Sequence, residues 1–215
     1  MKKIRVSLVI VLILSILFSN TSFAASSKSS SNSSGGITVL KEYSYTDMFG
    51  GLHILAICRN DTGVDCEASW DVITYDSSGN PLETYTPFGE YVNPNQEFVL
   101  TSGFYDSDEA TAYDYEITVD TGRSLSTPMH DAVQITHQKA KNGKIIVTGT
   151  NTSSYDLMSC SAMVLFFLNG KLVDYDEVYL TNNNYQMNAG ETIMKDTTNS
   201  KDYDDYAVYW TAYRW

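Results

Sequence analysis

The sequence has little of the chemistry that most enzymes use, since its 215 residues include only three cysteines and three histidines. Bases are also scarce: 14 Lys and Arg stand against 26 Asp and Glu, for a net charge of −12. That balance argues against a nucleic-acid groove, which needs clustered Lys and Arg to displace counterions. No helical periodicity of useful length follows the N-terminal segment. We therefore predict neither a catalytic residue, nor a cofactor, nor a nucleic-acid partner.

Aromatic and apolar residues, in contrast, are plentiful. The chain is 43% hydrophobic and 13% aromatic, and it holds 16 tyrosines and three tryptophans but only four prolines. This content can bury a core, which excludes a disordered polyanion. Tyrosine and tryptophan favour strands. The composition therefore predicts a globular chain rich in β-structure.

The N-terminus has the three-part layout of a secretory signal peptide. Three bases at positions 2, 3 and 5 precede an apolar run over 6–18, and a small-residue site then predicts cleavage between Ala24 and Ala25. A membrane-spanning helix needs about 20 apolar residues, so a cleaved peptide over 1–24 is favoured over a retained anchor. Residues 25–36 are rich in Ser and Gly and predict a flexible tether. We expect a secreted, extracellular protein of Gram-positive bacterial type, without a membrane span after cleavage.

The rest of the chain contains two copies of one pattern. The interval from Asn60 to Gly79 equals that from Asn151 to Gly170, 19 residues in each case. The predicted strands are 52–61, 68–75, 81–85 and 113–119 in the first copy, and 144–152, 161–168, 171–175 and 206–213 in the second.

The repeat sets the predicted domain boundaries. Unit 1 covers 37–120, a linker covers 121–130, and unit 2 covers 131–215. Each unit is large enough to fold alone. Side chains alternate with period 2, as in Trp70, Val72 and Thr74, and turn signals recur about every 10 residues. We predict an all-β chain with two tandem, small, immunoglobulin-like antiparallel β-sandwiches.

Both units share a strand that ends on Asn, a hydrophobic strand running into a glycine turn, and a later turn that ends in Glu; in unit 2 the first strand ends in Gly-x-Asn. The matching residues of unit 2 are Gly149, Asn151, Phe166, Phe167, Gly170, Gly190 and Glu191, and those of unit 1 are Asn60, Val72, Tyr75, Asp76, Gly79 and Glu97. This pattern resembles the FxLYD-type domain, a small immunoglobulin-like sandwich of exported bacterial proteins. Unit 1 departs from it by lacking the early glycine. The resemblance implies an extracellular binding or spacer module and brings no catalytic residues.

Acidic loops offer two alternatives to a plain solvated surface. Carboxylates could act as acid and base on a glycoside, and those available are Asp106, Asp108, Glu109, Asp204 and Asp205. The segments 106–109 and 202–205 also resemble fragments of a calcium loop. Neither segment has the full calcium-loop spacing, so we predict no metal site.

The cysteines present one candidate disulfide. Cys58 and Cys66 flank a turn, and in an exported chain they could join two strands. The alternative is that all three thiols are free and buried. Cys160 is expected to be unpaired and packed.

The tyrosines are too many to be buried together. Tyrosine with Asp and Asn on sandwich loops is typical of a contact surface, for which the candidates are Tyr105, Tyr113, Tyr185 and Tyr203. The alternative is edge-strand tyrosine covering neighbouring strands. We predict a non-catalytic binding or spacer protein of the bacterial surface or exterior, with a surface protein or a glycan as partner. The second hypothesis is a carbohydrate-recognition accessory protein that uses surface tyrosines.

Overall fold

The computed structural model describes residues 26–27, 33–107, 109–122, 126–199 and 201–215. Over these ranges the chain is built from strands, and the single helical element is a 3-10 turn at His130–Ala132. The predicted all-β fold class is thereby confirmed. The strands are β1 (Ser26–Ser27), β2 (Ser33–Ser34), β3 (Ile37–Thr46), β4 (Leu52–Asn60), β5 (Cys66–Tyr75), β6 (Pro81–Tyr85), β7 (Glu90–Val92), β8 (Glu97–Phe104), β9 (Ala112–Asp120), β10 (Thr127–Pro128), β11 (Val133–Lys139), β12 (Ile145–Asn151), β13 (Ser159–Leu168), β14 (Lys171–Tyr179), β15 (Thr192–Asp196) and β16 (Asp205–Arg214).

Unit 1 is a sandwich of two sheets. One sheet has the order β2-β3-β4-β8, and the other has the order β1-β9-β5-β6 with β7 also pairing with β5. The alternation in β5 turns Trp70, Val72 and Thr74 inward, as the sequence pattern predicts. Trp70 is 1% exposed, and Phe98 and Phe104 meet it from the facing sheet. Burial of these aromatic side chains holds the two sheets together.

Unit 2 repeats the arrangement. Its sheets have the orders β10-β16-β13-β14 and β11-β12-β15. The C-terminal strand β16 lies between β10 and β13, and turns Trp210 and Ala212 toward the core of unit 2. Pro128, inside the predicted linker, pairs with Tyr213 of β16. Part of the predicted linker therefore belongs to the sheet of unit 2.

Four residues of the predicted tether run along unit 1 instead of away from it. Ser33–Ser34 pairs with β3, and Ser26–Ser27 pairs with β9. The predicted signal peptide over 1–24 and its cleavage site at Ala24 and Ala25 lie outside the described residues.

A buried asparagine organises one turn in unit 1. The Asn60 amide nitrogen donates to the carbonyl oxygens of Val64, Val92 and Asn93 at 2.8, 3.3 and 3.0 Å. Its Oδ1 accepts from the backbone nitrogen and the hydroxyl of Thr62, at 3.0 and 2.6 Å. Asn60 is fully buried, so this network satisfies backbone groups that would otherwise lack partners.

Asn151 repeats the network in unit 2. Its amide nitrogen donates to the carbonyl oxygens of Tyr155, Met187 and Asn188 at 2.8, 3.4 and 3.0 Å. Its Oδ1 accepts from the backbone nitrogen and the hydroxyl of Ser153, at 3.0 and 2.8 Å. Asn60 and Asn151, which have the same 19-residue spacing to a glycine, therefore also make equivalent hydrogen bonds.

The same turns correct one residue of the repeat. Gln96 Oε1 accepts from the Asn93 backbone nitrogen at 2.8 Å, and Glu191 Oε2 accepts from the Asn188 backbone nitrogen at 2.7 Å. Gln96, and not Glu97, is therefore the unit 1 counterpart of Glu191. The sequence analysis matched Glu97 to Glu191 because both are glutamates. The turn is defined instead by a side chain that accepts a hydrogen bond from the backbone nitrogen three residues earlier, and in unit 1 that side chain belongs to Gln96.

The two sandwiches stack on each other through an apolar layer that the sequence analysis did not anticipate. In β4, Ile54 and Ala56 face the core of unit 1, whereas Leu55 and Ile57 face unit 2. We call this layer the interunit core; its buried members are Tyr45, Leu55, Ile57, Val99, Leu165, Phe167 and Leu172. Hydrogen bonds also cross the junction, among them Gln96 Nε2 to the Trp210 carbonyl at 3.1 Å. The sheet containing β4 is therefore buried on both faces.

Candidate functional site

The four predicted contact tyrosines do not form one surface. Tyr105 and Tyr185 are 74% and 83% exposed, as a contact role requires. Tyr203 is partly buried, with its ring under Lys139 Nζ at 3.8 Å and its hydroxyl donating to the Gly143 carbonyl. The structure brings none of these three rings into contact with another of them.

The prediction for Tyr113 is wrong. This side chain is 3% exposed and packs in the core of unit 1. Its hydroxyl donates to Glu42 Oε2 at 3.0 Å. Burial, together with the Glu42 carboxylate, raises the pKa of Tyr113 well above its ordinary value. Alternation along β9 turns Tyr113 inward, so it cannot contact a partner.

The candidate Cys58–Cys66 disulfide is not formed, and the alternative of free, buried thiols holds. All three cysteines are free and buried, as expected for Cys160. Cys58 lies on β4 and Cys66 on β5, in facing sheets, and the Cys58 Sγ is directed to the Ala56 carbonyl at 3.8 Å. Burial raises the pKa of Cys58 and Cys160 to about 12 and that of Cys66 to about 11. Thiols with such values are inert at neutral pH.

The acidic loops are engaged in local structure. Asp204 Oδ2 accepts from the Asn169 backbone nitrogen at 2.9 Å, and Asp205 Oδ1 accepts from the Tyr206 nitrogen at 2.9 Å. Among the described residues no group of three or more His, Cys, Asp or Glu side chains is placed to hold a metal ion. Asp108 lies outside these residues.

A cleft of about 350 Å³ lies where the β3–β4 hairpin of unit 1 meets β14 of unit 2. Its aromatic lining consists of Tyr45, Phe49, His53 and Tyr175. Its charged lining consists of Asp47, Asp174, Asp176, Glu177 and Lys201. We call it the interunit cleft. Both units contribute to it, so its shape depends on how they pack.

The hairpin end that forms one wall is ordered by Asp47. Its Oδ1 accepts from the backbone nitrogens of Phe49 and Gly51 at 2.8 and 2.9 Å. Its Oδ2 lies 3.0 Å from His53 Nε2. Burial acts to raise the pKa of Asp47, but the hydrogen bonds from His53, Phe49 and Gly51 outweigh it and lower that pKa. The carboxylate thus stays ionised and holds both the turn and the imidazole.

His53 is at the centre of the aromatic cluster. Its ring stacks on Tyr45 at 4.9 Å and 14°, and meets the edge of Tyr175 at 5.6 Å. The Tyr175 hydroxyl lies 3.5 Å from His53 Nδ1. Tyr105, one of the predicted contact residues, approaches the other side of the imidazole at 6.4 Å. Tyr105 is therefore next to the interunit cleft, beside the lining residue His53, although it does not itself line the cleft.

The rim also exposes apolar surface. Phe49, at the tip of the hairpin that Asp47 orders, is 86% exposed, and Met48 beside it is 80% exposed. Deeper in the cleft, Lys201 Nζ lies 5.1 Å from the centre of the Tyr45 ring and donates to the Val173 carbonyl at 2.9 Å. Exposed rings at the mouth with carboxylates behind them make an amphipathic binding surface.

Acid–base chemistry is poorly supported at this cleft. Asp47, His53 and Tyr175 form a carboxylate–imidazole–phenol series, which resembles part of a nucleophile-activating arrangement. Burial raises the pKa of Tyr175 to about 12, so its hydroxyl remains protonated at neutral pH. The cysteines are buried elsewhere, in the cores of the two units. The series orients side chains but offers no activated nucleophile.

A larger groove of about 530 Å³ lies on the outer sheet of unit 1. Its lining is mostly acidic and threonine side chains, including Asp71, Asp114 and Glu116. Its aromatic residue, Tyr115, directs its hydroxyl to Glu42 at 2.7 Å. The interunit cleft, with exposed rings on an ordered turn, is the better candidate.

Comparison with known proteins adds no functional assignment. No family model matches the sequence, and no curated protein matches it. Among solved structures, one similarity is to the red sea bream transglutaminase, at 8% identity and a TM-score of 0.27, over 76% of this chain and 27% of that chain. A likeness at this level supports no inference about activity. Within the described residues no helix is long and apolar enough to cross a membrane.

Proposed function

We propose that this chain is an exported, non-catalytic binding protein of the bacterial surface or exterior, with the interunit cleft as its ligand site. The observation that carries the proposal is the exposed aromatic rim beside that cleft, formed by Phe49 and Tyr105. Rigid rings supply contact area at low entropic cost, as in loop-borne binding surfaces. The N-terminal pattern over 1–24 and the FxLYD-type resemblance support export.

A glycan is the more specific candidate for the ligand. Sugar rings present apolar C–H faces and a belt of hydroxyls, so a site for them combines aromatic faces with acceptors of hydrogen bonds. The cleft offers the exposed Phe49 ring, the nearby Tyr105 ring, and the carboxylates of Asp176 and Glu177. A protein partner remains the alternative, since exposed Met48 and Phe49 also suit a protein interface.

The experiment uses the chain from Ala25 onward on an array of bacterial and plant polysaccharides, and in capture from bacterial wall fractions. Three variants are compared with it: Phe49→Ala, Tyr105→Ala and the control Tyr185→Ala. Tyr185 is equally exposed, at 83%, and does not line the cleft, whereas Phe49 lines it and Tyr105 contacts the lining residue His53. We expect each rim substitution to weaken binding at least about tenfold, which is the size of an anchor residue's contribution.

The control should bind as the unsubstituted chain does. An equal loss of affinity in all three variants would show that the ligand does not bind at the cleft. Binding to wall protein but to no glycan would remove the carbohydrate candidate and keep the protein partner. Failure to bind either material would contradict the proposal.

A further inference from the structure

Glu90 occupies an unusual position at the junction of the two units. It begins β7 in unit 1 and pairs with Ala68 of β5. Its partly buried side chain lines a small cavity of about 10 Å³, to which unit 2 contributes Glu177 and Thr211. Such a volume holds about one water molecule at most. A carboxylate from each unit therefore borders one confined space.

The surroundings contain little to offset two negative charges. Glu90 accepts a hydrogen bond from the Thr211 side chain, and Glu177 Oε2 accepts from the Tyr179 hydroxyl at 2.6 Å. The other residues of the cavity are Phe98, Val99, Ser161, Met163, Tyr209 and Trp210, none of them basic. Glu90 also interacts electrostatically with the hydroxyls of Tyr179 and Tyr213.

The cation that lines the interunit cleft beside Glu177 has other partners. Lys201 lines the interunit cleft with Glu177, but its Nζ is bound to the Val173 carbonyl and lies over the Tyr45 ring. Burial, with the Glu177 charge adding to it and the Thr211 hydrogen bond opposing it, raises the pKa of Glu90 to about 7. Two carboxylates in one low-dielectric space avoid ionising together.

We propose that Glu90 and Glu177 form a proton-controlled junction: a proton on Glu90 allows the units to pack closely beside Glu177, and its loss loosens their contact. No covalent step is involved; a carboxyl group releases its proton to water as the pH rises. Glu177 lines both the junction cavity and the interunit cleft. The junction therefore connects ambient pH to the shape of the cleft, and that consequence for ligand binding rests on the proposed function.

The direction of the pH effect follows from linkage. In the folded chain Glu90 keeps its proton to about pH 7, whereas in the unfolded chain it loses it near 4.5. The folded state thus binds more protons at Glu90 between these values, so the contribution of Glu90 to stability is fully present below about pH 4.5, falls as the pH rises toward 7, and is lost above it.

The test compares wild type, Glu90→Gln and Glu116→Gln in urea unfolding between pH 5 and pH 8. Gln keeps the shape of a protonated Glu but does not titrate. We expect the unfolding equilibrium constant of wild type to rise with pH by at least about tenfold more than that of Glu90→Gln. Glu116, exposed on β9 of unit 1, provides the matched control and should behave as wild type.

A second measurement separates a junction from a merely buried acid. Amide hydrogen exchange, corrected for its intrinsic pH dependence, should show β7, β14 and β16 opening more readily at pH 8 than at pH 5 in wild type but not in Glu90→Gln. An equal pH dependence in both proteins would overturn the proposal. So would a stability difference without altered exchange at the junction. Neither measurement needs a ligand, so failure here is distinct from failure of the proposed function.

Discussion

At the scale of single residues, one buried asparagine in each unit carries the repeat. Asn60 and Asn151 each satisfy three carbonyl oxygens and two donors, at distances that agree within 0.2 Å. The sequence pattern identifies both residues by their position relative to a glycine turn. It does not reveal that each amide is fully buried, because Asn in a turn is ordinarily solvated.

Asn151→Ala should therefore be costly. The substitution leaves the carbonyl oxygens of Tyr155, Met187 and Asn188 without their side-chain donor. We expect a loss of about 2–4 kcal/mol in the free energy of unfolding, measured in urea, since each unsatisfied buried group costs about 1–3 kcal/mol. Asn183→Ala, at an exposed position in the same unit, should change it by less than about 0.5 kcal/mol. Similar values for the two variants would show that the network is dispensable.

At the scale of elements, the strands follow from period-2 alternation and the turns from residue type. The predicted strand over 81–85 matches β6, and Asn169–Gly170 forms the predicted two-residue hairpin with φ values of 53° and 75°. Alternation does not show which face of a strand is inward. For this reason Tyr113 was predicted to be on the surface, whereas it is buried. The apolar runs of β4 and β13 were read as ordinary strands, although such runs are typical of strands buried on both faces.

The β13–β14 hairpin offers a test of backbone conformation. Gly170 has a φ of 75°, and a Cβ added there would meet no atom within 4 Å. Gly170→Ala should therefore cost about 1–2 kcal/mol of unfolding free energy from backbone strain alone, and Gly170→Asn should cost less because Asn tolerates this region. Thermal unfolding gives the comparison.

Gly149 supplies the contrasting case. A Cβ at Gly149 would lie 2.8 Å from Leu180 Cδ1 and 3.2 Å from Ile135 Cδ1, so Gly149→Ala and Gly149→Asn should both destabilise unit 2, and Asn more than Ala. If Asn were no better tolerated than Ala at position 170, the positive φ assigned to Gly170 would be wrong.

At the scale of the whole molecule, the candidate site arises from contacts that no local pattern encodes. Asp47 and His53 come from unit 1, whereas Tyr175 and Glu177 come from unit 2. Sequence analysis treated the units as separate bodies on a linker, and found Tyr105 as a contact residue without its neighbours. The cleft could not be predicted because it depends on the interunit core, whose residues have the same apolar character as those of the two sandwich cores.

The interunit core leads to the expectation that the two units unfold together. Unit 2 without unit 1 would expose Leu165, Phe167 and Leu172 to water, at a cost that is a large share of a small domain's stability. Leu100→Ala, on the face of β8 that packs in the core of unit 1 and not on the face that carries Val99 into the interunit core, should cost about 2–5 kcal/mol. Amide hydrogen exchange should show reduced protection not only in β8 but also in β16 of unit 2. Unchanged protection of β16, with β8 destabilised, would mean that unit 2 is stable alone and that the interunit contact is weak. Two separate calorimetric transitions would lead to the same conclusion, because one sandwich would stay folded after the other had unfolded and exposed its half of the interunit core.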